Sequence, residues 1–169
     1  MKLYLLKLSL ALILGFTLLK APFMGPTIDN FCLLLAQITY QLISPFDANV
    51  MINESVYYWG SYTYAIEVTK ECSALGTTMT LIVAILLFPA NWKIRIQTVF
   101  LAFIFIQGIN IFRLSTLLYG RVLFAPEGFN ILHYHVFPFL LSLFSILFFI
   151  AYAGRFNFLC SKQKSVIQG

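Results

Sequence analysis

A chain of 169 residues that is 60% hydrophobic and only 10% charged, with 18 Phe and 9 Tyr, is far more apolar than a soluble domain, whose charged fraction is about 25%. The composition excludes a soluble catalytic domain and describes a single integral membrane domain, 1-169, because four or five helices of roughly 20 residues leave only short loops. The net charge of +5 does not imply a nucleic-acid partner, since no basic run is long enough to track a phosphate backbone.

Leu3 to Leu19 is a continuous apolar run after Lys2 with no small-residue cleavage site before Lys20, which predicts an uncleaved first span. Ile28 to Ile43 carries Asp29, Asn30, Gln37, Thr39 and Gln41 and is expected to lie at the interface, with a polar crossing as the alternative. Together these are N-terminal helices over 1-50. In 51-71, the aromatic and β-branched runs around Gly60-Ser61 predict a short extracytoplasmic β-hairpin, with Gly at the turn position that needs positive φ. A three-helix core is expected over 72-153: about Cys72 to Phe88, stopped by Pro89; about Ile96 to Leu118; and about Ile131 to Tyr152, ending at Gly154-Arg155. Residues 154-169 read as a basic cytoplasmic tail. The fold class is thus an all-α polytopic membrane protein with four to five transmembrane helices and a short extracytoplasmic β-hairpin before the helix that begins at about Cys72.

Orientation follows the lysines and arginines. With Ile28 to Ile43 on the surface, Lys2, Lys7, Lys93, Arg95, Arg155, Lys162 and Lys164 share one side, against Lys20, Lys70 and Arg121 on the other. If the segment crosses instead, Lys2, Lys7 and Lys20 change sides, and the Lys93/Arg95 turn and the tail remain cytoplasmic. Cys72 therefore faces outward, at the start of an inward-running helix. Arg113 lies one to two turns below the outer end of the next helix, and His133 at the outer start of the last. All three are placed at similar depth.

These residue types suit acyl transfer. A thiolate is the reacting form of cysteine, favoured by a helix N-terminus, a cation or a paired histidine. Histidine can take the thiol proton and return one to a leaving amine, and arginine offers fixed donors to a developing oxyanion. Blander roles exist for each. Buried cysteines, Cys32 and Cys160 included, usually act as small hydrophobes, and Arg113 could snorkel. Asn110, on the same face as Arg113, is expected to form an interhelical hydrogen bond that orients it. His133 and His135 lie about 200° apart on a helix, so one can face a given site and the two cannot share a metal. Glu67 and Glu71 are expected to be solvated. Cys32, Cys72 and Cys160 lack metal-ligand spacing and Cys-x-x-Cys pairing, so no metal, cofactor or redox cycle is expected.

Glu71-Cys72-Ser73-Ala74-Leu75, Phe88-Pro89-Ala90-Asn91-Trp92, Asn110-Ile111-Phe112-Arg113 and His133-Tyr134-His135-Val136-Phe137-Pro138 resemble, in order and spacing, the exosortase/archaeosortase family, over roughly residues 67 to 150. The resemblance implies a membrane cysteine transpeptidase, or protease when water is the acceptor, with catalytic Cys72, Arg113 and His133. His133 takes the family's place because Pro138 follows it by five residues; His135 and Asn110 are the alternative or supporting residues. The family often has Gly where this chain has Ala74, and the chain resembles its compact branch. The implied partners are membrane lipid and secreted proteins bearing a C-terminal motif, often Pro-Glu-Pro-like, then a hydrophobic helix and a basic tail. The rival reading is a non-enzymatic membrane subunit or scaffold in which Asn110 and Arg113 are interhelical polar contacts.

Overall fold

A computed structural model describes the backbone of residues 2–59 and 64–167, and within them the side chains of all but 2–5, 59, 64, 122 and 156–167. The described chain is mostly helical. α1 (Lys2–Leu19) and α2 (Gly25–Ile43) are separated by the 3-10 turn Pro22–Met24, where Pro22 cannot continue the ladder of α1. The break bends the pair by 63°. α1 packs on α3 (Leu75–Leu87) closely enough that a Cβ on Gly15 would lie 2.8 Å from Met79 Cε.

The segment expected to be one hairpin is a three-stranded antiparallel sheet, β1 (Val50–Asn53), β2 (Val56–Trp59) and β3 (Tyr64–Glu67), in that order. β2 and β3 form the expected hairpin, while the Gly60-Ser61 turn lies outside the described residues. The added strand pairs through Asn53↔Val56 across Glu54-Ser55. Glu54 takes the left-handed conformation, φ 54°, so the turn lacks the glycine that announces such positions. The sheet seats on α2, where the buried Tyr57 hydroxyl donates to the Ala36 carbonyl at 2.9 Å.

The core helices are α3 (Leu75–Leu87), α4 (Trp92–Leu123), α5 (Pro126–Ile131) and α6 (Phe137–Ile167). Asn91 caps α4 by accepting from the Lys93 N–H at 3.4 Å. α6 continues beyond the expected stop at Gly154-Arg155, because a lone glycine costs a helix only about 1 kcal/mol and no proline follows. Two cores form. One gathers Cys32, Leu35, Ala36, Val50, Tyr57, Val68, Cys72, Leu114 and Leu118 from α2, the sheet and α4. The other joins α3, α4 and α6 through Leu81, Ile85, Ala102, Ile106 and Leu141. Cys72 is thus walled by the sheet and α2 on one side and by α4 on the other.

Trp92–Arg121 and Pro126–Arg155 are long and apolar enough to cross a membrane, and the bent α1–α2 pair would make a third. Their outward faces carry exposed Phe100, Ile104, Phe139, Ile146 and Ile150, the composition of a surface bathed in lipid rather than water.

Candidate active site

Cys72 does not begin α3. It lies in a 3-10 turn, Lys70–Ser73, and Ala74 separates that turn from the helix in the left-handed conformation, φ 53° ψ 18°. L-residues other than Asn and Asp rarely adopt this region. The turn is fixed from within and from α4. The Cys72 N–H donates to the Thr69 carbonyl at 2.9 Å, and the Ser73 hydroxyl donates to Lys70 O. Asn110 Nδ2 donates to Cys72 O at 2.9 Å, while Gln107 Nε2 donates to Ser73 O at 3.3 Å and to Thr78 Oγ1 at 3.2 Å.

The histidines are separated by a local irregularity. Leu132–Val136 is a π-helical turn between α5 and α6. Pro138 has no N–H for the carbonyl of Tyr134, and its ring crowds that carbonyl, which widens the preceding turn. His133 is half-buried and His135 exposed. His133 stacks on Tyr134, ring centroids 4.6 Å apart, and meets the edge of Phe129 at 5.7 Å. Its Nε2 lies 3.7 Å from Cys72 Sγ, hydrogen-bond range for sulfur. The Thr69 hydroxyl donates to the same Sγ, also at 3.7 Å.

Arg113 is 4% exposed and its Nε has no hydrogen-bond partner among the described residues. It lies within electrostatic range of both Cys72 and His133. It lines a cavity of about 250 Å³ with Glu71, the first turn of α3, Pro138 and Leu141. Asn110 does make an interhelical hydrogen bond, but to the Cys72 carbonyl rather than to Arg113. Glu67 and Glu71 are exposed, and Glu71 is near enough to His133 to act on it electrostatically. Cys32 is a buried free thiol in the core around Cys72; the Cys160 side chain lies outside the described residues. No group of three or more His, Cys, Asp or Glu among the described residues is arranged to hold a metal.

Sequence reasoning passed over Gln107, Thr69 and Ser73. Gln107, Asn110 and Arg113 recur every three residues along an apolar helix, and that stripe was the available signal. Thr69 and Ser73 gave none, because their roles arise from a turn.

No family model matches the chain, and no curated protein or solved structure is significantly similar to it. What defines the site is its own geometry: a buried thiol in contact with an imidazole, with a guanidinium, its Nε without a hydrogen-bond partner among the described residues, within electrostatic range of both.

Proposed function

We propose that the protein is a membrane-embedded cysteine transpeptidase or protease that cleaves the C-terminal sorting signal of secreted proteins through a thioester. The observation carrying this reading is the 3.7 Å contact between Cys72 Sγ and His133 Nε2. A hydrophobic core has no packing reason to bring an imidazole to a thiol from a residue 61 positions away, whereas nucleophilic catalysis requires it. His133 takes the thiol proton, and the thiolate attacks the scissile carbonyl. The positive field of Arg113 stabilises the tetrahedral oxyanion. Collapse expels the amine, protonated by His133, and leaves an acyl-Cys72 thioester that an amine acceptor or water resolves.

The chain is an exosortase-like enzyme of compact form. Its spans are α1, α3, α4 and α6, with α2 at the outer interface of the cytoplasmic membrane. The 63° bend between α1 and α2 and the exposed Lys70–Asp29 ion pair at 3.2 Å support that placement, since both charges then reach water. The site faces outward, and the substrate's hydrophobic helix docks laterally with its cleavage motif at the level of Cys72.

The test is co-expression with a secreted neighbour bearing a C-terminal motif, hydrophobic helix and basic tail. Cys72→Ala, Arg113→Ala and His133→Ala abolish tail processing, while Cys32→Ala and Cys160→Ala retain it. Unchanged processing in Cys72→Ala would sink the proposal in favour of a scaffold.

A further inference from the structure

The sheet has an open edge beside Cys72. The Val68 N–H donates to Ser55 O at 2.9 Å, and the register pairs Tyr57 with Ile66 and Trp59 with Tyr64. Hydrogen-bonded pairs alternate along an antiparallel ladder, so the main-chain groups of Tyr64, Ile66 and Val68 face β2. Those of Ala65, Glu67 and then Thr69 face the other way, and β3 is the outer strand. Ala65 and Glu67 are exposed, and their main chain bonds to no other part of the described chain.

An exposed edge is solvated in water, and its short length and the charge of Glu67 keep it from pairing with another copy, so exposure alone assigns nothing. Position does. The row Ala65, Glu67, Thr69 runs on into the Lys70–Ser73 turn, and its last member touches the thiol, since the Thr69 hydroxyl lies 3.7 Å from Cys72 Sγ. Residues two apart along one strand edge are about 7 Å apart, so a chain paired with Glu67 and continuing extended for two residues arrives level with the sulfur. The opposite edge offers no such path. There the Val50 N–H is taken by Asp47 O at 3.4 Å, and β2 stands between β1 and β3. An extended polypeptide adds to an open edge through its main chain.

We propose that β3 is a docking strand, to which the residues preceding the scissile bond of the substrate add as a parallel fourth strand. The proposal rests on Cys72 as the reacting residue and on an outward-facing site. The exported part of the substrate then lies on the sheet side and its hydrophobic helix in the bilayer, so its chain approaches Cys72 in the same direction as β3. In a parallel ladder one residue bonds to both neighbours of the residue opposite it. The substrate residue opposite Ile66 donates its N–H to Ala65 O and accepts the Glu67 N–H. The next but one donates to Glu67 O and accepts the Thr69 N–H, and the residue between them bonds to neither. Recognition is thus of backbone, through alternate amides, and leaves side-chain selection to other walls of the site.

Because the main chain carries the recognition, a polyalanine reagent serves as the probe. Acetyl-tetra-alanine chloromethyl ketone alkylates a thiolate: an S–C bond forms at the methylene, chloride leaves, and the thiol proton passes to His133. On the full-length protein in nanodiscs, its rate at Cys72, read by peptide mass, is expected to exceed that of the acetyl-alanine analogue about tenfold or more, at about fivefold per bonded residue. N-methylation of successive amides is expected to slow it at alternate positions only. Glu67→Pro, which removes an outward N–H that the sheet does not use, loses most of the gain with length. Glu67→Gln, which removes only the charge, keeps it, and an unchanged iodoacetamide rate shows that each variant retains the site. The N-methyl series is read on the parent protein, so it decides the matter even if Glu67→Pro does not fold. Equal rates for the short and long reagents, or N-methyl effects without alternation, overturn the docking strand and leave the transpeptidase reading standing. Tail processing that survives Cys72→Ala removes that reading itself.

Discussion

Asn110 Nδ2 on α4 donates to the main-chain carbonyl of Cys72 at 2.9 Å, so the thiol-bearing turn is held by a side chain of the helix that also carries Arg113. The two residues are fully buried or nearly so, and the bond fixes the backbone of Cys72 rather than its sulfur.

Removing that bond strands a buried carbonyl. Asn110→Ala is expected to cost about 1–3 kcal/mol of stability and to slow alkylation of Cys72 in a protein that still inserts in the membrane. Thermal unfolding in detergent and reagent kinetics check both; unaltered kinetics would mean that the turn holds its shape without α4.

The two histidines are expected to separate cleanly. His133→Ala lowers processing roughly 10²-fold or more, the usual contribution of a positioned acid–base group. His135→Ala stays within a few fold, since that side chain is exposed in the π turn. Matched immunoblots of tail cleavage decide it, and equal losses would move the general base away from His133.

Ala74 offers a backbone test. At φ 53° a β-branched side chain is strained, so Ala74→Val is expected to lose about 1–3 kcal/mol and most reactivity at Cys72. Ala74→Gly relieves about 1 kcal/mol of left-handed strain while giving back a similar amount to the unfolded chain. It should therefore match the parent in melting temperature and in labelling rate. A Val variant with parental kinetics would show that the turn can adopt another conformation.

Tyr57 sets an alkaline limit. Burial pushes its phenol up from 10 to about 12, because the phenolate would lose its water. The unfolded chain ionises first as pH rises past 10, so this residue's contribution is intact below pH 10 and is lost between 10 and about 12. Tyr57→Phe is expected to lose about 0.5–1.5 kcal/mol at neutral pH with the hydrogen bond to Ala36 O, and to show a smaller alkaline decline than the parent across that window.

How far these features were legible depends on what produces them. Hydropathy alone located α4 and α6, because lipid-facing helices need apolar residues all round. The expectation that Cys72, Arg113 and His133 lie at similar depth needed only the order of the last three expected spans, and the structure leaves His133 half-buried and His135 exposed. The start of α3 was misplaced by three residues, since Ala74 carries no signature of its left-handed conformation. The first strand escaped because Glu54 occupies the turn position expected of glycine. Which side chains hold the Cys72 turn could not be read from any local pattern, as Gln107 and Asn110 reach it from more than 30 positions away.

The shortness of α3 bears on the choice of acceptor. Thirteen residues rise about 20 Å, against a hydrocarbon core of about 30 Å. A crossing helix with that mismatch thins the bilayer around itself or draws its flanking turn inward. Both carry headgroups and water toward the sulfur of Cys72. On the proposed topology and mechanism, with α3 as a span, an acyl intermediate formed there would stand in a hydrated dent of the membrane, where an interfacial amine and bulk water compete for it, and the ratio of transferred to hydrolysed product should follow bilayer thickness.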